Sequence, residues 1–181
     1  MASAARPLAV VTGASTGIGY ELAKQCAENG FDLIVAADEP EIENAAADFR
    51  KLDSEVEPVQ ADLATLDGVD KLYAASRGRR VEALLANAGR GLGKAFLDQD
   101  FAAVRRVVDT NITGTIYLIQ KVGRDMRGAG KGRILITGSI AGFMPGTRQP
   151  FGAALPAFSG RGGGEFPCNR ERAGNFCDRG W

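Results

Sequence analysis

Gly13, Gly17 and Gly19 stand between a short apolar run, Leu8-Ala9-Val10-Val11, and a stretch of helical periodicity that begins at Ile18. Glycine lets a backbone turn tightly and come close to a ligand, and the amides at a helix start carry partial positive charge. Strand, glycine turn and helix together make an anion site. The span Gly13-Ala14-Ser15-Thr16-Gly17-Ile18-Gly19 therefore reads as the resting place of a dinucleotide's pyrophosphate. A βα turn that binds nothing is the competing reading. Asp38 stands 19 residues beyond Gly19, at the end of a second apolar run. A carboxylate there accepts hydrogen bonds from the adenosine ribose hydroxyls and repels a 2′-phosphate, and Glu39 adds to the repulsion. Neither Thr16 nor the residues just after Asp38 supply a cation, so NAD is expected in preference to NADP.

The elements that must hold these residues alternate along the chain. Strands are expected at Leu8–Val11, Asp32–Ala37, Val56–Gln60, Val81–Leu85 and Arg133–Thr137, each a short apolar run bounded by turn residues. Helices are expected at Ile18–Glu28, Glu41–Leu52 and Leu66–Ser76, with one long helix from Phe101 to Met126. The first helix would turn Ile18, Leu22, Ala23 and Cys26 inward, and the third Leu66, Val69, Leu72 and Tyr73. Strand and helix alternating in this way specify an α/β fold: a Rossmann-type, doubly wound parallel sheet of five strands in the order 3-2-1-4-5. Ligands of such sheets bind beside the carboxyl ends of the strands. Gly13, Asp38, Asp62, Asn87 and Ser139 all follow strand ends.

Taken in order, Thr12-Gly13-x-x-x-Gly17-x-Gly19, Asp62-Leu63, Asn87-Ala88-Gly89, Asn111 and Ser139 resemble the motif series of the short-chain dehydrogenase/reductase family over about residues 7–147. The resemblance implies that Asp62 and Leu63 contact the adenine ring, and that Asn87, Ala88 and Gly89 line the ribose side of the cofactor. It also implies hydride transfer between a nicotinamide and a small carbonyl or alcohol substrate. Ser139 would hydrogen-bond the substrate oxygen, and Asn111 would fix a proton-relaying water. In the family a tyrosine exchanges the proton, and a lysine four residues later lowers its pKa. Tyrosine's unperturbed value near 10 is too high for a base at neutral pH without such a cation. Ala86 stands where the family usually has a leading Asn.

The pattern then breaks. The tyrosine and lysine are expected near 152 and 156, where the chain has Gly152 and Pro156; no tyrosine follows Tyr117 and no lysine follows Lys131. Tyr20-x-x-x-Lys24 and Tyr117-x-x-x-Lys121 match the string but sit on other helices. At 100° per residue Tyr117 lies about 240° round from Asn111. Composition changes at the same place: Arg148 to Trp181 contain seven glycines, five arginines and three prolines but no Val, Ile, Thr or Lys, whereas residues 1–147 hold 34 of those four types. The expected division is a nucleotide-binding domain over 1–147, truncated after the fifth strand, and an irregular or disordered tail over 148–181. A frameshift near Thr147–Arg148 in a GC-rich gene accounts for that composition. Translation of the encoding DNA in the other two frames tests it. A dehydrogenase by descent that lacks its proton donor and a non-catalytic dinucleotide-binding module both remain open readings, as does a chain that does not fold stably.

Bulk composition excludes little but agrees. The chain has 181 residues, 45 % of them hydrophobic, and 22 basic against 22 acidic residues. A net charge of zero offers nothing to nucleic acid or to an anionic membrane. No apolar run approaches a membrane span, and Met1 to Pro7 is too short and polar for a signal peptide, so a cytoplasmic location is expected. Cys26, Cys168 and Cys177 lack metal-site spacing, and the absence of histidine removes histidine chemistry. The family's usual homo-oligomer interface uses the Asn111 helix and the helix of the missing tyrosine, so it is expected to be compromised.

Overall fold

Strand β1, Leu8–Thr12, is buried along its whole length, and every residue of β2, Asp32–Ala37, is buried except Asp32. A strand buried on both faces needs apolar side chains at successive positions, and these two runs supply them. The computed structural model describes residues 6–93 and 96–139. Within them the chain runs β1, α1 (Gly17–Glu28), β2, α2 (Ile42–Arg50), β3 (Val56–Gln60), α3 (Leu66–Ala75), β4 (Val81–Ala86), a single 3₁₀ turn, α4 (Phe101–Val108), a π-helical segment (Asp109–Gly114), α5 (Thr115–Ala129) and β5 (Arg133–Ile136). The strands form one parallel sheet in the order β3-β2-β1-β4-β5, as the alternation implies. Val10 sits opposite Ile34 on one side and Leu84 on the other.

Successive residues of each central strand point to opposite faces, and both faces are covered. Leu8, Val10, Ile34, Ala36 and Leu84 pack with Val69 and Leu72 of α3 and Leu118, Val122 and Met126 of α5. Ala9, Val11, Leu33, Val35 and Leu85 pack with Ala23 and Ala27 of α1 and Ile42, Ala45, Ala46 and Phe49 of α2. Each fully buried large side chain, such as Phe49, Leu33 or Ile34, contributes about 1.5–3 kcal/mol. Helix α1 buries only Gly19, Ala23 and Ala27, spaced four apart. Those small residues bring its axis close to the sheet.

Two expected inward residues face outward. Ile18 is 64 % exposed and Leu66 is 52 % exposed. Each begins its helix at the rim of the sheet, above the strand ends, where no core lies beneath it. The long helix expected from Phe101 is continuous in path but not uniform, since Asp109–Gly114 widens into a π turn. Gly114, which ends the segment, packs tightly on the chain beside it: a Cβ there would fall 1.9 Å from the Leu63 carbonyl oxygen. The Thr115 hydroxyl donates to the Thr110 carbonyl at 3.2 Å, satisfying an acceptor that the wider turn releases. No helix among the described residues is long and apolar enough to cross a membrane. The division at residue 147, the tail, Gly152, Pro156, Cys168 and Cys177 lie outside the described residues.

Candidate functional site

Because all five strands are parallel, the residues that follow them gather at one edge of the sheet. Thr12, the last residue of β1, ties two of those ends together. Its buried hydroxyl accepts the backbone N–H groups of Asn87 and Ala88, each at 2.9 Å. The Asn87 side chain donates to the Gly13 carbonyl at 3.3 Å, and the Gly13 N–H donates to the Ala36 carbonyl at 2.7 Å. The turn is thus pinned to β2 and to the end of β4. A side chain on Gly19 would put its Cβ 2.0 Å from the Gly13 carbonyl oxygen, so only glycine lets the helix begin this close to the turn.

Gly17 differs from the other two. It has φ +60°, and a Cβ there would meet nothing within 4 Å. Ser15 is half-buried, while Thr16, Gly17 and Ile18 are exposed. Helix α1 starts with no side-chain cap on its free amides and no acid in its first turn. Helix α3, at the same edge, is closed: Thr65 accepts the Gly68 N–H at 3.0 Å, and Asp67 lies in the first turn. The contrast leaves one helix start whose donors and dipole are uncompensated, over open space, at the glycine turn. A pyrophosphate has the charge and acceptors that this cradle lacks, so the residues present fit a dinucleotide.

Asp38 and Asp62 follow the ends of β2 and β3, and the structure links them through arginines that the local sequence does not reveal. The Arg90 guanidinium donates to the Asp38 carboxylate. Arg106, on α4, lies 2.9 Å from Asp62 Oδ2 and 4.0 Å from Asp38 Oδ2. The other Asp62 oxygen accepts the Ala64 N–H at 3.0 Å. Arg90 is 52 residues from Asp38 in the chain. A basic residue directly after Asn87-Ala88-Gly89 was the available signal, but no spacing rule connects it to Asp38. Thr12 was legible in the motif, yet its role as the double acceptor was not.

Asn111 lies in the π segment, and its side chain pairs with the backbone of Arg90 in both directions: Arg90 N–H to Oδ1 at 2.8 Å, and Nδ2 to the Arg90 carbonyl at 2.9 Å. The amide therefore fastens the loop after β4 to the helix. Leu63 is buried beneath Gly114, and Ala88 packs at the rim of the core. Gly89 faces Asn111, whose Oδ1 would lie 3.6 Å from a Cβ at that position. Ser139 is half-buried three residues past the end of β5, at the same sheet edge as the other sites.

Neither Tyr-x-x-x-Lys string serves this edge. Tyr20 stacks on Phe49 with ring centroids 4.9 Å apart and donates to Asp48 at 3.2 Å, joining α1 to α2. Desolvation and the Asp48 carboxylate push its hydroxyl above the usual tyrosine range, the wrong direction for a base at neutral pH. Lys121 lies 2.8 Å from Asp70 Oδ1 and 4.8 Å from the ring centroids of both Tyr73 and Tyr117, a latch between α3 and α5. Its hydrogen bond to Asp70 holds the lysine above its ordinary pKa and the carboxylate below.

The family model described as short chain dehydrogenase matches residues 7–154. An oxidoreductase of Sarocladium schorii, asL5, is 34 % identical over 137 residues, covering 74 % of this chain and 54 % of that protein. A bulky-bulky ketone specific alcohol dehydrogenase from Comamonas testosteroni superposes with a TM-score of 0.79 at 30 % identity, covering 84 % of this chain and 62 % of that one. A short-chain dehydrogenase from Sphingobium yanoikuyae, solved in complex with NADPH, superposes with a TM-score of 0.78 at 31 % identity, over 84 % of this chain and 61 % of that one. The chain spans between about half and two thirds of these proteins' length.

Proposed function

The chain belongs to the short-chain dehydrogenase family, and we propose that its described residues form a binding site for NAD(H), the cofactor half of a carbonyl–alcohol oxidoreductase. The observation that carries this reading is the uncapped start of α1 above the open Gly17 turn, with Asp38 at the end of the neighbouring strand. Gly13, Ser15, Thr16, Gly17, Ile18 and Gly19 would hold the pyrophosphate; Asp38 would hold the adenosine ribose; Asp62 and Leu63 would border the adenine. Asn87, Ala88 and Gly89 would line the second ribose. Bound NAD(H) would supply hydride transfer between its nicotinamide and the carbon of a small carbonyl or alcohol. Ser139 would orient the substrate oxygen by a hydrogen bond, and Asn111 holds the loop that borders it. Asp38 and Glu39 favour NAD, because a 2′-phosphate would meet two carboxylates.

Proton transfer to the substrate oxygen needs a tuned acid, and this sequence has no tyrosine after Tyr117 and no lysine after Lys131. The expected outcome is binding without turnover. Titration of NADH fluorescence measures the first, and NADH oxidation with ketone substrates measures the second. Saturable binding with background turnover supports the reading. Robust turnover overturns the inactivity, and absence of binding overturns the site.

A further inference from the structure

The ion pair between Arg90 and Asp38 bears on how a ligand enters the groove, and the inference rests on the dinucleotide reading above. Asp38 follows β2, Arg90 lies beyond β4, and β1 with its glycine turn stands between those two strands. The Arg90 guanidinium donates to Asp38 Oδ2, so the pair ties together the ends of the strands that flank the turn. A dinucleotide with its pyrophosphate on that turn brings its adenosine ribose to the acid after β2, and the ribose hydroxyls are donors too. Arg90 and the ribose therefore compete for one carboxylate.

Three features make the arginine the partner that gives way. Asn111 holds the Arg90 backbone at 2.8 and 2.9 Å, so release is a rotation of the side chain while the loop stays in place. The Arg90 and Asp38 side chains are 40 % and 31 % exposed, and an ion pair this open to water contributes little by itself. Arg106 does not take over the acid: it lies 2.9 Å from Asp62 Oδ2 but 4.0 Å from Asp38 Oδ2, beyond hydrogen-bond reach. We propose that Arg90 is a strap at the ribose end of the groove, closed on Asp38 and displaced when the adenosine ribose takes that carboxylate. The hold on the ribose hydroxyls is then set by the strap as well as by the acid, and loosening the strap strengthens it.

The test compares 5′-ADP with 2′,3′-dideoxy-ADP, two probes of equal charge, by isothermal titration on the full chain. The pyrophosphate is common to both, so the ratio of their affinities reads the ribose hydroxyls. Arg90→Met keeps an unbranched stem and removes the donors; it is expected to raise the preference for 5′-ADP about two- to fivefold over wild type. That gain is expected to vanish when Asp38→Ala is added, because no carboxylate is left to release. Salt gives the same reading without a variant. It screens an exposed pair, so the wild-type preference is expected to rise with ionic strength while that of Arg90→Met stays level. A preference in Arg90→Met equal to or below wild type, a gain that survives Asp38→Ala, or a wild-type preference indifferent to salt overturns the strap and leaves the dinucleotide reading intact. Failure of wild type and Arg90→Met alike to bind 5′-ADP overturns both. Circular dichroism of each variant separates loss of binding from loss of fold.

Discussion

The centre of the sheet and its β5 edge are built to different degrees. In the centre, at β1 and β2, the Gly13 and Ala14 N–H groups donate to the Ala36 carbonyl, the Gly13 carbonyl accepts from the Asn87 side chain, and the strands beneath are buried except at Asp32. At the β5 side the edge strand is open: Leu135 is 45 % exposed and Ile136 is 39 % exposed, with Ile116 of α5 at 47 % nearby. An edge strand with exposed branched side chains presents unpaired backbone and apolar area together. The glycine-turn region is thus held by contacts among its own strand ends. A cofactor cradle is a local device of turn, helix start and two neighbouring strands.

The sharpest way to break this comparison is at Gly19. Gly19→Ala forces a Cβ into the Gly13 carbonyl, a backbone atom that cannot step aside, and is expected to cost about 3 kcal/mol or more in urea unfolding, with nucleotide binding lost. Gly17→Ala separates the two effects. Its Cβ meets nothing, so only the left-handed φ is penalised, by about 1–2 kcal/mol, while the added methyl blocks the cradle and NADH titration registers the loss.

One substitution made in two places measures the contrast between the centre of the sheet and its β5 edge. Leu33→Ala, at a fully buried site in β2, is expected to destabilise by about 2–5 kcal/mol. Leu135→Ala in β5 is expected to change the same midpoint by less than about 1 kcal/mol. Equal effects would mean that β5 is covered and that the centre of the sheet and this edge do not differ. Thr12→Val preserves shape but strands the Asn87 and Ala88 N–H groups, at a cost of about 1–3 kcal/mol for each donor that finds no water.

The smallest effect lies at the α3–α5 latch. The native Asp70 carboxylate titrates below its ordinary range because Lys121 bonds it, so its contribution is present above about pH 4 and is lost as pH falls further. Lys121 titrates above its ordinary range, so its contribution is lost as pH rises past about 10. Lys121→Met should therefore melt slightly below wild type at neutral pH and converge with it at pH 2–3. A difference that persists unchanged in acid would remove the ion pair as its cause.

Much of this was legible in the order of residues. Apolar runs at Leu33-Ile34-Val35 and Val10-Val11 can be strands only if both faces are covered, which demands helices on both sides and hence the doubly wound order. Glycine at 13, 17 and 19 between strand and helix has few other uses. Periodicity misplaced Ile18 and Leu66, because it assigns a face to each residue but does not know where the core stops at a helix end. It also drew one smooth helix through Asn111, where the chain widens into a π turn.

The sequence by itself determined the sheet order, the place of the glycine turn and the absence of a tyrosine–lysine pair after Ser139, because these depend on local pattern and residue type. Only the tertiary structure decided that Thr12 holds the end of β4, that Asn111 clamps Arg90, and that Arg90 and Arg106 reach Asp38 and Asp62. Those contacts join residues 21 to 76 positions apart. Charge and hydrogen-bonding partners at such separations are set by which strands the crossovers make neighbours, and no spacing along the chain encodes them.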